Sequence, residues 1–209
     1  MAELPARSDR LSTMDRRSFL RTGVGGTLFL GTVGITANLS GCAGKPAGRY
    51  EAATGISSDY RFGFLTHDDI LLFGALLPAI IGPGLPQQAA DRQQAILGTI
   101  ERIDAGILQF GPANQKELRR LFDLLNFGLT RVTVARVWPD WASVSPAQAG
   151  AFLDRWRSSR IGLLNNGYIA LTKLSNVAFY GHPAQWHLSG YPGPPAWATQ
   201  ALPQFQNAS

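Results

Sequence analysis

Thr66-His67-Asp68-Asp69-Ile70-Leu71-Leu72-Phe73-Gly74-Ala75-Leu76-Leu77-Pro78-Ala79-Ile80-Ile81 is the stretch whose reading decides the fold. Thr66 can accept a backbone N–H at a helix start, and Asp68 and Asp69 favour the positive end of the helix dipole. The apolar run behind them is too short to cross a bilayer and contains Pro78. It predicts a buried core helix that ends or kinks near Pro78, closed by Gly82-Pro83-Gly84-Leu85-Pro86.

Working outward, Ile96, Ile100, Ile103 and Ile107 recur at helical spacing and predict a second helix over about 87–109. A third begins near Ala113, with Leu118, Leu121, Phe122, Leu125, Leu129 and Val132 on one apolar stripe. Trp138-Pro139-Asp140-Trp141 interrupts the pattern. Ser145-Pro146-Ala147-Gln148 then restarts it, with Ser145 at the N-cap, Pro146 at the first helical position and Gln148 closing a capping box. That helix carries Phe152, Leu153 and Trp156. A last one, Ile161 to Tyr180, places Leu164, Tyr168, Leu171 and Leu174 on one side, although Asn165-Asn166-Gly167 weakens it. Alternating strand patterns are not evident. The expectation is therefore all-α: a bundle of about five helices over 64–180. Residues 42–63 read as an aperiodic tether. Residues 181–209, rich in Pro, Gly and aromatics, read as an irregular arm that crosses the bundle or docks a partner.

Composition narrows the classes. The chain of 209 residues has a formal net charge of +5, 45% hydrophobic residues and one cysteine. Its basic excess is small and scattered, which argues against nucleic acid as a partner. Arg155, Arg157 and Arg160 are the densest basic cluster and are expected on a solvated helix face. With Cys42 alone, no disulfide can form within one chain.

The N-terminal segment reads as an address. Arg16-Arg17-Ser18-Phe19-Leu20 precedes an uncharged, glycine-interrupted stretch and a small-residue processing site, the parts of an export signal. The arginine pair and the low hydrophobicity behind it resemble a twin-arginine signal, so residues 1–41 are expected to be a leader recognised by the twin-arginine translocase. Translation can start at Met1 or at Met14. Gly23-Val24-Gly25-Gly26-Thr27-Leu28 begins like a dinucleotide fingerprint, but no strand precedes it and the third glycine is Leu28. Leu39-Ser40-Gly41-Cys42 matches a bacterial lipobox, which predicts diacylglyceryl transfer to the Cys42 thiol and anchoring in a membrane. Ala43 is not the aspartate that would hold a Gram-negative lipoprotein at the inner membrane.

Catalytic equipment is hard to find. His67, His182 and His187 lack the spacing and neighbours of a metal site. There is no haem-attachment motif, nucleophile elbow or phosphate loop. The expectation is a non-enzymatic chain with no cofactor of its own. Twin-arginine export mostly serves cargo that folds around a cofactor before crossing, so a partner would carry that cofactor. Trp156 is expected in the core. Tyr180, Trp186, Tyr191, Pro192 and Trp197 are the residues expected to dock the partner, since Trp and Tyr dominate binding hot spots.

The order of these features resembles the small subunits of bacterial flavin-dependent dehydrogenases of the glucose–methanol–choline type. These include the subunit 3 family of gluconate 2-dehydrogenase and the small subunits of sorbitol and glucose dehydrogenases. The signal at Arg16–Leu20, the opening Leu65-Thr66-x-x-Asp69 and the ending Tyr180-Gly181-His182-Pro183…Trp186…Gly190-Tyr191-Pro192-Gly193-Pro194-Pro195 carry the likeness. It implies a non-catalytic subunit that escorts a large FAD-containing subunit through the twin-arginine route to the periplasm and stays bound. The lipobox, and the lack of cysteines in the mature part, depart from that pattern.

Overall fold

In the computed structural model, which describes residues 44–51, 57–195 and 197–198, the apolar run after Thr66 folds as α1 (His67–Ile81). Thr66 and Asp69 form a reciprocal capping box. Pro78 does not end the helix, which continues to Ile81 and closes when the Gly82 N–H donates to the Pro78 carbonyl. Ile70, Leu72, Phe73, Leu76, Leu77 and Ile81 are all buried. A helix apolar around most of its circumference must be covered on most sides. α1 is accordingly contacted by α2 (Ala89–Leu108), α3 (Pro112–Asn126), α5 (Pro146–Arg157), α6 (Gly162–Tyr180) and the turn Trp141–Ser143.

The fold is all-α, as expected. Among the described residues, two short helices join the five long ones: α4 (Gly128–Thr133) and α7 (Trp186–Ser189). Three departures from the sequence reading stand out. The stripe expected to run through Leu129 and Val132 ends at Asn126, because Phe127 is extended and redirects the chain into α4, leaving Leu129 66% exposed. The arm is not wholly irregular, since it contains a 3-10 turn (Pro183–Gln185) and α7. Nor are the described residues of the expected tether aperiodic. β1 (Gly48–Glu51) and β2 (Ser57–Phe62) pair antiparallel, Gly48 opposite Phe62 and Arg49 opposite Arg61, with an irregularity before Glu51. Tyr60 and Phe62 share one face and pack edge to face, while Arg61 between them is exposed.

A buried carboxylate welds that hairpin to the bundle. Asp104 on α2 is fully buried and accepts from the backbone N–H groups of Gly63 (2.9 Å), Phe64 (2.9 Å) and Leu65 (2.6 Å) and from the Tyr60 hydroxyl (2.8 Å). Next to this joint Asp69, also fully buried, takes a forked pair of bonds from Arg119 (2.6 and 2.8 Å) and one from the Asn126 amide (2.7 Å). The Arg119 guanidinium lies over Phe64 and Phe122. Burial alone would lower the pKa of Arg119, but Asp69 and Asp123 outweigh it and the net shift is upward.

Helix α6 approaches α5 closely at Gly167, where a Cβ would run into the Trp156 ring and crowd Leu121. Asp104→Asn keeps the shape but turns a donor toward backbone donors, so an unfolding free-energy loss of about 2–4 kcal/mol is expected. Tyr60→Phe removes the hydroxyl that donates to Asp104 but keeps the three backbone donors, and should cost about 1 kcal/mol. Urea titration of residues 42–209 measures both, and equal losses would contradict the central role of Asp104. Gly167→Ala should destabilise by about 1–3 kcal/mol through overpacking, against the usual gain from Ala in a helix.

Candidate functional site: a pinned tryptophan loop and the C-terminal arm

Two tryptophans are in the core, two are on the surface, and Trp186 is half-buried in the arm. Trp156 is buried, as expected, and stacks near Phe152. Trp141 is buried too, its indole N–H donating to the Leu125 carbonyl at 3.0 Å. Trp138, three residues earlier, is 78% exposed. The adjacent Pro139 disfavours helix at Trp138, and Trp141 occupies the core position.

Trp138 stands on a loop fixed at both feet. Arg131 on α4 pairs with Asp140 at 2.6 Å. From α5, Arg155 donates to the carbonyls of Ala135 (3.0 Å) and Arg136 (3.3 Å). Arg136 has φ +53°, a left-handed backbone that costs a non-glycine residue about 1 kcal/mol, and the Arg155 guanidinium holds the chain there. Arg155 therefore does not belong with a solvated basic face. Arg157, exposed and paired with Asp154, and Arg160, also exposed, do.

The five residues expected to dock a partner separate into two groups. Tyr180 is half-buried, edge to face with Phe179, and its hydroxyl lies beside Gly84; it packs the bundle. Trp186 is the centre of the arm's own packing. Its ring meets Tyr191 edge to face at 5.1 Å, its N–H donates to the Gly181 carbonyl, and it covers Gly193. Gly193 has φ +96°, and a side chain there would crowd the Trp186 ring at 3.1 Å, so glycine serves both conformation and space. Tyr191, Pro192 and Trp197 are exposed, Trp197 by 71%. The arm thus presents aromatic surface from a local scaffold. Residues Arg16, Arg17, Ser18, Phe19, Leu20 and Cys42 lie outside the described residues.

Sequence reasoning overlooked Trp138. The available signal was the Trp-Pro-x-Trp spacing, which cannot bury both indoles from one short extended segment. Among the described residues, no group of three or more His, Cys, Asp or Glu is placed to hold a metal ion. No single described helix is long and apolar enough to cross a membrane. Compared with known protein families, curated proteins and solved structures, the chain matches none.

His182 caps the arm's first turn, its Nδ1 accepting from the Ala184 N–H at 3.3 Å. Burial, and behind it the Arg102 cation, hold its pKa below the ordinary histidine value. Arg102 is itself lowered by burial and donates to the Ala178 carbonyl. The unfolded arm therefore binds its proton first as pH falls below about 6.5, so the arm's stability is full above that value and declines through the lowered folded pKa. In an NMR titration the Ala184 amide should shift with a midpoint below about 6.5, and His182→Gln should abolish the shift. A midpoint at or above that value would contradict the geometry.

Proposed function

We propose that this chain is a lipid-anchored accessory subunit. In this reading it leaves the cytoplasm by the twin-arginine pathway, escorts a flavin-dependent sugar or alcohol dehydrogenase to the periplasm, and stays bound to it. The observation that carries the reading is the pairing of a folded-cargo signal at Arg16–Leu20 with exposed aromatics, Trp138 and Tyr191 on locally braced backbone and Trp197 beyond them. Pinned aromatics lose little side-chain freedom on binding, which favours them as anchors for a protein partner. FAD and the redox chemistry belong to that partner. Arg16 and Arg17 address the translocase, and Cys42 takes the lipid.

A second reading, a stand-alone periplasmic lipoprotein with a structural or binding role, draws support from the extensive buried core that runs from Phe62 to Phe179. Two experiments separate them. Changing Arg16 and Arg17 to Lys should strand the partner dehydrogenase, with its flavin absorbance, in the cytoplasm; undisturbed delivery would reject the escort. Trp138→Ala and Trp197→Ala should each weaken the complex by about 2 kcal/mol or more, roughly 30-fold in Kd by titration calorimetry. A stable lone monomer with no affinity for an oxidoreductase would favour the second reading.

A further inference from the structure

We infer that the end of the bundle carrying Gly44, the β1–β2 hairpin and the C-terminus of α2 is a membrane-facing surface, with Leu108 and Phe110 seated in the lipid interface. The inference rests on the lipid-anchor reading above and adds to it an orientation.

Very little chain separates the anchor from the fold. Gly44 already lies against the bundle: a Cβ there would meet the Thr66 methyl at 2.9 Å. Ala47 donates to the Leu65 carbonyl at 2.9 Å, and β1 follows at once. Cys42 is two residues before Gly44 in the sequence. Covalent geometry keeps their Cα atoms within about 8 Å whatever the conformation of that link. An acylated Cys42 therefore holds the bilayer close to Thr66, the first residue of the α1 cap. A long tether would leave the bundle free to tumble; this leash does not.

What lies at that end suits lipid. Leu108 packs over Gly63, where a Cβ would touch its side chain at 2.9 Å, and Gly63 is three residues from Thr66. Leu108 is 42% exposed and Phe110 41% exposed. Gln115 fixes their backbone by donating to the carbonyls of Leu108 and Phe110. Two exposed apolar side chains two residues apart, at the end of the bundle that carries the acyl anchor, match the interfacial mode of membrane contact. Charge does not set the orientation, because exposed Lys45, Arg49 and Arg61 are nearly balanced by exposed Asp59 and Asp68. The opposite end is well separated: Asp91, in the first turn of α2, is about 25 Å along the helix from Leu108.

The lone cysteine makes the test direct, since an acylated Cys42 leaves any introduced thiol unique. Full-length acylated protein carrying Leu108→Cys, Phe110→Cys, Gln87→Cys or Asp91→Cys is labelled with a fluorophore and reconstituted in phosphatidylcholine vesicles containing a doxyl-lipid quencher. Positions 108 and 110 should be quenched several-fold more than 87 and 91. A Gly/Ser spacer of about 12 residues after Ala43, spanning roughly 20 Å, should remove most of that difference. Mass spectrometry of Cys42 distinguishes the two ways to fail. An unmodified Cys42 overturns the anchor reading and this inference with it. An acylated Cys42 with equal quenching at all four positions, or with a difference that the spacer leaves intact, overturns the orientation alone.

Discussion

A carboxylate with no access to water must find donors within the protein to replace the water it has lost. Asp104 meets that demand with three consecutive backbone N–H groups and a tyrosine hydroxyl, all from residues 60–65. The constraint works in both directions. The carboxylate is stabilised only if the segment leading out of β2 curls around it, and the segment's own N–H groups find partners only if α2 brings Asp104 to them. Hairpin, α1 entry and α2 are therefore set together. Asp69 extends the joint by one more layer, since its carboxylate closes the α1 cap and receives Arg119 and Asn126 from α3. Removing either acid would leave buried donors without acceptors, which costs more than the bonds themselves contribute.

With the entry segment welded in this way, the bundle can use its central helix as a hub. α1 is apolar on most faces and is satisfied only by several neighbours at once. The aromatic residues are distributed accordingly. Phe73, Phe122, Phe152, Trp141 and Trp156 fill the space around the hub, while Trp138, Tyr191 and Trp197 remain on the surface. Two of them stand on locally braced backbone: Arg131 and Arg155 hold the Trp138 loop, and Trp186 packs against Tyr191 and Gly193 in the arm. Surface that is both apolar and fixed in shape is suited to recognition, because less freedom remains to be lost on binding.

The starts and stops of the helices were legible in the sequence because they depend on neighbours a few residues away. Thr66 with Asp69, and Ser145 with Pro146 and Gln148, form caps whose donor and acceptor sit three residues apart. The isoleucines of α2 lie where their spacing says, with Ile100, Ile103 and Ile107 buried. The break at Phe127 was less legible, since Leu129 and Val132 continue the period of the stripe, and only packing shows that the helix has already turned away.

By itself, then, the sequence determined an all-α chain, its helix caps, the core role of α1 and Trp156, and a cysteine spaced as in a lipobox. Tertiary structure alone decided that the segment before α1 is a bonded hairpin and not a tether. It also decided that Arg155 braces a loop, that Tyr180 packs the bundle while Trp186 packs the arm, and that Trp138 stays outside. The reason is the distance along the chain over which each interaction acts. A cap or a helical stripe is written within one or two turns, whereas Asp104 finds Leu65 across 39 residues and Asp69 finds Arg119 across 50, separations at which no local pattern names the partner.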